Sequence, residues 1–248
     1  AEKLEDNSAR IHDLRGAVFM AVNDNDKAIS AFTKALSIDP NLPYSFHRLG
    51  KCYENKGDIK QSEYNYKKAI TLDNQQSVFY LDLGSLYFKI GNVQAALKNY
   101  QLAEKINPNQ PVVLNNIGNC FTSLKQNQEA IRYFDKAIEI DENYYNAYIN
   151  KSVIMTSIGL YDQALELLNK SLKIYDKSAE AYNNIGLTYY GKNEPNKAIE
   201  FYEKAIQLDP RLLRAYRNLS VAHFTAGDKD KAAEILFKLL EIEPNDDE

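Results

Sequence analysis

The sequence predicts an all-α solenoid of seven stacked helix pairs. Three observations carry that expectation. A 34-residue pattern starts at residues 9, 43, 77, 111, 145, 179 and 213, with no insertion or deletion between copies. Each copy divides into two segments whose apolar residues recur at three- and four-residue steps, the spacing that aligns side chains on one helix face. Turn-forming residues stand at fixed offsets between and after the segments. A pair of short amphipathic helices cannot bury its own apolar stripe, so each needs a neighbour like itself.

Residues 179–212, AEAYNNIGLTYYGKNEPNKAIEFYEKAIQLDPRL, set out the unit. Tyr182, Ile185, Gly186 and Tyr189 mark the first helix; Ala198, Tyr202 and Ala205 mark the second. Asn193-Glu194-Pro195 breaks the chain between them, and Asp209-Pro210 stops the second. Numbering each copy from its first residue, position 8 reads Gly16, Gly50, Gly84, Gly118, Ser152, Gly186 and Ser220. Position 20 reads Ala28, Ser62, Ala96, Ala130, Ala164, Ala198 and Ala232, and position 27 reads Ala35, Ala69, Ala103, Ala137, Ser171, Ala205 and Leu239. Small residues there let helix backbones approach closely. Large ones alternate with them: Phe46, Tyr80, Leu114, Tyr148, Tyr182 and Tyr216 at position 4, and Phe32, Tyr66, Tyr100, Phe134, Leu168, Tyr202 and Leu236 at position 24. Position 15, just past a helix end, holds Asn23, Gly57, Gly91, Lys125, Gly159, Asn193 and Gly227, mostly residues that tolerate a left-handed backbone.

The ends depart from the pattern. His12 and Arg15 replace an aromatic and an aliphatic residue, which suits a helix partly facing water. Residues 1–8 align with the close of a repeat, so they read either as the end of a preceding repeat or as a short capping helix. The last helix carries Ile235, Leu236, Leu239, Leu240 and Ile242, followed only by EPNDDE. Solenoid ends ordinarily carry a polar cap. This face is therefore expected to meet a downstream segment, a partner or a second copy of the chain, the last as a homo-oligomeric contact through Ile235, Leu239 and Leu240.

Composition excludes several function classes. Net charge is −4 at pH 7, so no basic stripe for nucleic acid is expected. No apolar run reaches the length of a transmembrane helix, so membrane insertion is not expected either. Cys52 and Cys120 share one position two repeats apart, too far to bridge, and the compartment stays open. His12, His47 and His223 fall at three different repeat positions, so neither metal, cofactor nor catalytic chemistry is expected.

Function is expected on the remaining face of the first helix, at positions 2, 5, 6, 9 and 12. Position 6 reads Leu14, Arg48, Asp82, Asn116, Asn150, Asn184 and Asn218, four consecutive asparagines. They are flanked by Asn115, Asn119, Asn146 and Asn183. A carboxamide has one acceptor and two donors, so a row of them matches the N–H and C=O of an extended peptide backbone. The alternative is that these amides only cap or solvate the groove. Ile149, Val153, Leu187, Tyr190 and Val221 would bury ligand side chains between the amides. Near the N-terminus Arg48 and Lys51 either dock an anionic group or, for Arg48, pair with Asp82. Arg214 and Arg217 either meet acidic ligand side chains or offset the acidic tail.

The period and the aromatic, Leu-Gly, Tyr, Ala, Phe and Pro positions resemble the tetratricopeptide repeat over residues 9 to about 244. The resemblance implies helix pairs stacked into a right-handed superhelix, one solenoid over 1–248, with the first helix of each repeat lining a concave channel. Lys151 and Leu239 depart from the pattern, besides His12 and Arg15. Some family members grip chaperone C-terminal tails with a set of Lys, Asn, Asn, Lys and Arg across three repeats, and no three repeats here supply it. The expected function is a non-enzymatic scaffold holding an extended or partly helical segment of a partner protein. A structural rod using its ends and convex surface, or a targeting module for a catalytic domain outside this sequence, are the alternatives.

Overall fold

A computed structural model describes residues 8–242. These form fourteen α-helices, two per 34-residue copy, and no strand occurs among the described residues. The chain divides into two compact units, Ala1–Leu124 and Lys125–Glu248, a boundary that falls inside the fourth repeat.

The first unit holds α1 (Ala9–Ala21), α2 (Asn25–Ile38), α3 (Pro43–Asn55), α4 (Ile59–Leu72), α5 (Ser77–Lys89), α6 (Val93–Ile106) and α7 (Pro111–Ser123). The second holds α8 (Asn127–Ile140), α9 (Tyr145–Ser157), α10 (Tyr161–Ile174), α11 (Ala179–Gly191), α12 (Pro195–Leu208), α13 (Leu213–Ala226) and α14 (Lys229–Ile242). Odd-numbered helices begin repeats and even-numbered helices complete them. Within each unit consecutive helices pack on one another, and alternate odd helices also touch. The fold is therefore an α-solenoid, held by neighbour contacts rather than by one central core.

Helix boundaries follow local chemistry. All seven residues at position 15 have positive φ, including the non-glycines Asn23 (59°), Lys125 (59°) and Asn193 (63°). The next residue caps the second helix where its side chain permits. Asp24 accepts from Lys27 N at 3.2 Å, Asp58 from Gln61 N at 3.0 Å, Asn92 from Ala95 N at 3.2 Å and Asp228 from Lys231 N at 3.1 Å. Leu160 holds nearly the same backbone conformation (φ −84°, ψ 58°) with no side-chain acceptor to offer. Leu160→Asp is therefore expected to stabilise α10 by about 1 kcal/mol. A denaturant series that shows no gain would remove this account of the helix start.

Size matching between positions 8 and 24 sets the distance between the two helices of a repeat. A Cβ built on Gly16, Gly50, Gly84 or Gly186 would lie 2.6–2.8 Å from the nearest ring atom of Phe32, Tyr66, Tyr100 or Tyr202 respectively. The two repeats with serine at position 8, Ser152 and Ser220, carry leucine at position 24, Leu168 and Leu236. Glycine thus accompanies an aromatic ring, and serine accompanies a smaller side chain. The position-24 side chain then packs onto the next repeat. Phe32 clusters with Leu49 and Cys52, Tyr66 with Leu83 and Leu86, Leu168 with Ala181 and Ile185, and Tyr202 with Tyr216, Leu219 and Ala222.

Lys151 breaks the apolar pattern of α9 without stranding a charge, because its Nζ reaches Asp135 Oδ1 of α8 at 2.5 Å. Cys52 and Cys120 are buried and free, and burial pushes their thiols up to about 11 and about 12. At neutral pH both stay protonated, which makes them packing residues rather than nucleophiles.

The last repeat corrects one expectation. Ile235 and Leu239 are 5% and 8% exposed and cluster with Tyr202, Tyr216 and Leu219, so they fill the inside of the final pair. They are not available for a contact with another molecule. Leu240 is 51% exposed, and its row on the outer side of α14 continues through Leu236 and Phe237. Residues 1–7 and 243–248, with the sequence reading of the N-terminal stretch, lie outside the described residues.

Candidate peptide-binding face

The first helices of successive repeats are joined by a recurring polar seam. At three junctions inside the units, position 6 of an odd helix meets position 5 of the odd helix before it. Arg48 NH1 donates to Asp13 Oδ2 at 2.6 Å, His47 Nε2 and Asp82 Oδ2 are 2.7 Å apart, and Asn218 Nδ2 donates to Asn183 Oδ1 at 2.9 Å. The seam explains why position 5 is buried: His47, Asn115, Ile149 and Asn183 are 8%, 4%, 1% and 2% exposed. Asn115, Ile149 and Asn183 therefore do not line a ligand surface as the helical periodicity suggested. Ile149 packs instead with Leu168, Ala181 and Ile185.

In the first unit the seam is charged. Asp13 accepts from both Arg48 and Ser45 Oγ (2.7 Å), and Asp82 also lies 3.7 Å from Lys51 Nζ. The His47 ring sits 4.9 Å from that of Phe79 and 5.6 Å from that of Tyr66. Arg48 thus pairs with Asp13 in the repeat before it, rather than with Asp82 in the repeat after it as the sequence suggested. Its charge and that of Lys51 are matched internally, which removes much of their appeal as an anion dock. Asn116 and Asn119 are half-buried on α7.

In the second unit the seam is made of amides. Asn218 donates to Asn183, and Asn183 Nδ2 donates to Asn184 Oδ1 at 3.3 Å. The run leaves a donor at one end, Asn184 Nδ2, and an acceptor at the other, Asn218 Oδ1. Asn184 is buried at 7% exposure, while Asn150 and Asn218 are half-buried. Arg214 NH2 lies 3.2 Å from Glu180 Oε1 at the start of these helices, and Arg217 is exposed beside it.

Next to the amides run two rows that the seam does not consume. Position 9 presents Val153, Leu187 and Val221; position 12 presents Thr156, Tyr190 and Phe224. Exposure rises toward the C-terminal side, from half-buried Val153 to Leu187 (36%), Val221 (51%) and Phe224 (61%). Hydroxyl pairs fix the row in place: Thr156 Oγ1 with Thr188 Oγ1 at 2.8 Å, and the Tyr190 hydroxyl with Thr225 Oγ1 at 3.1 Å. Lys229 Nζ lies 5.9 Å over the Phe224 ring. Phe224 lies outside the candidate residues that the asparagine pattern marks, although its register with Tyr190 identifies it. No group of three or more metal-ligating side chains occurs among the described residues, and none of their helices is long and apolar enough to cross a membrane.

Models of the tetratricopeptide repeat match residues 9–42, 31–64, 78–110, 111–144, 179–212 and 213–246, more than half of the chain. The fifth repeat, 145–178, lies outside these stretches, in keeping with Lys151, Ser152, Leu168 and Ser171, yet it folds as the same helix pair. No curated protein matches the chain. Among solved structures, a tetratricopeptide repeat protein from Parabacteroides merdae aligns with a TM-score of 0.83 at 18% identity, covering 96% of this chain and 94% of that one. The Cut9-Hcn1 hetero-tetramer of the APC/C aligns with a TM-score of 0.75 at 22% identity over 88% of this chain, which spans only 44% of that one. YrrB, described as having an unusual peptide-binding site, aligns with a TM-score of 0.57 at 24% identity, over 77% of this chain and 98% of that one. The repeat matches and the fourteen helices in register agree, and the chain belongs to the tetratricopeptide repeat family.

Proposed function

We propose that the face built by α9, α11 and α13 binds an extended segment of a partner protein, making this chain a non-enzymatic interaction scaffold. The family fold is typically a non-catalytic scaffold, and the carrying observation is the pair of apolar rows left uncovered beside amide groups. Leu187, Val221, Tyr190 and Phe224 offer adjacent apolar surface. Exposed apolar patches of this kind, rimmed by polar groups, are the usual form of a protein contact. Asn184 Nδ2 and Asn218 Oδ1 supply a donor and an acceptor for one peptide unit of the ligand, with Asn150 continuing the row. The central part of the face carries no charge, and Arg214 and Arg217 stand at its edge. The ligand is accordingly an uncharged stretch with bulky apolar side chains, bearing an acidic residue where it passes the arginines.

The test uses dodecapeptides selected from a random display library against the whole chain, with affinities measured by calorimetry. Leu187→Ser combined with Phe224→Ser is expected to weaken the selected peptides by roughly thirtyfold or more, as loss of central contacts does. Asn150→Ala combined with Asn184→Ala reads out the amide contribution. Arg48→Ala is expected to leave affinity unchanged. Peptides that bind the Leu187/Phe224 variant as tightly as the parent would overturn the proposal.

A further inference from the structure

In the first unit, α2 and α4 stand on either side of a cleft of about 360 Å³. Its floor is Phe46, Leu49 and Tyr53 of α3, at positions 4, 7 and 11 of the repeat. Its walls include Thr33 and Leu36 of α2 and Gln61 and Tyr64 of α4. A space of this size, apolar and aromatic below with a few polar groups above, has the form of a site that takes one bulky side chain of a ligand. Tyr64 is 54% exposed at the rim, and Lys68 Nζ lies 5.6 Å over its ring.

The walls are positive in a chain whose net charge is −4. Helices α2 and α4 carry Lys27, Lys34, Lys60, Lys67 and Lys68 against only Asp26 and Glu63. Asp24 takes Lys27, Asp26 takes Lys56 and Glu63 takes Lys67. That leaves Lys34, Lys60 and Lys68 with no carboxylate partner among the described residues, and no acidic side chain lines the cleft. The same repeat positions form a second cleft, between α12 and α14, with different electrostatics. There Glu203 stands where the first cleft has Thr33, and Glu234 where it has Tyr64. Glu234 meets Lys238 at 2.8 Å and Lys231 at 3.8 Å, so the counterpart of Lys68 is neutralised. Of the two, the α2–α4 cleft alone combines an aromatic wall with an unpaired ammonium.

We infer that the α2–α4 cleft docks an acidic segment of a partner protein, one in which a single bulky apolar side chain is flanked by carboxylates. The apolar side chain enters between Phe46, Tyr53 and Tyr64, and the carboxylates meet Lys68 and the uncompensated positive charge of α4. None of these residues belongs to the α9–α11–α13 face, so the inference does not rest on peptide binding there.

Fluorescence anisotropy of a labelled dodecapeptide of Asp and Glu with one central phenylalanine, titrated with the whole chain, tests this. The parent is expected to bind it, with an affinity that falls as salt rises. Alanine in place of the peptide's phenylalanine is expected to weaken binding roughly thirtyfold. Lys68→Glu is expected to weaken it roughly tenfold. Lys238→Glu, at the matching place in the other cleft, and the Leu187→Ser/Phe224→Ser variant are expected to bind as the parent does. A parent that does not bind would overturn the inference, as would undiminished binding by Lys68→Glu. Loss of the peptide in the Leu187/Phe224 variant would overturn it by moving the contact to the other face. A single-stranded DNA dodecamer that binds as tightly as the peptide would do so by showing that charge alone is read. Circular dichroism checks that the Lys68 variant, changed at an exposed position, keeps its helices.

Discussion

Gly186→Ala and Gly186→Ser are each expected to destabilise the sixth repeat, and Tyr202→Leu added to Gly186→Ser to recover most of the loss. The added methyl would stand 2.6 and 2.7 Å from two ring carbons of Tyr202 and 3.1 Å from the Ala198 carbonyl oxygen. Tyr202 is 1% exposed, so its ring cannot swing into solvent, and the two helices must separate. Overpacking of that kind costs about 1–3 kcal/mol. Tyr202→Leu alone leaves a void, with a cost of similar order. The double variant recreates the Ser152 and Leu168 combination that the fifth repeat already uses, so the two changes should couple favourably. Hydrogen exchange resolved along α11 and α12 is the better measurement, because stacked repeats open locally as well as globally. Additive losses in the double variant would refute the size-matching account.

Asp82→Ala is expected to cost about 1.5–3 kcal/mol, the range for a hydrogen bond to a charged group. It removes the carboxylate 2.7 Å from His47 Nε2 and also the partner of Lys51. Asp82→Asn should be far milder. An amide can still meet His47, and asparagine is the residue the second unit uses at this seam position, where Asn218 reaches back to Asn183. The discriminating measurement is the difference between the two variants in the same unfolding experiment. Equal losses would mean that the charge, rather than the hydrogen bond, holds the seam.

The fold was legible because its signals repeat. One glycine or one Asp-Pro says little, but the recurrence of small, aromatic and turn residues at fixed offsets leaves the helix pairs little freedom. Every position-15 residue expected to be left-handed has positive φ, Lys125 included. The surface was less legible, because helical periodicity gives a side chain's angle about its own axis and not what stands opposite. Positions 5 and 6 are adjacent in sequence and differ by about 100° around the helix. That difference puts Ile149 and Asn183 under the next repeat and leaves Asn150 and Asn218 partly open. The same blindness assigned Ile235 and Leu239 outward and paired Arg48 with Asp82. Each error concerns a neighbouring helix, about which a single helix carries no information.

The two kinds of complementarity have different reach, and that bears on how such an array can change its order. The match between positions 8 and 24 closes within one block of 34 residues, so duplicating, deleting or transplanting a whole block carries both halves along. The match between position 5 and the following position 6 crosses a border, so it acts as a rule of adjacency. Two copies of the second repeat in tandem would set His47 against Arg48, with no carboxylate between them. The third repeat placed after the sixth would set Asn183 against Asp82, which an amide hydrogen bond can satisfy. Blocks are thus freely copied, but their sequence along the chain is constrained by a two-residue grammar.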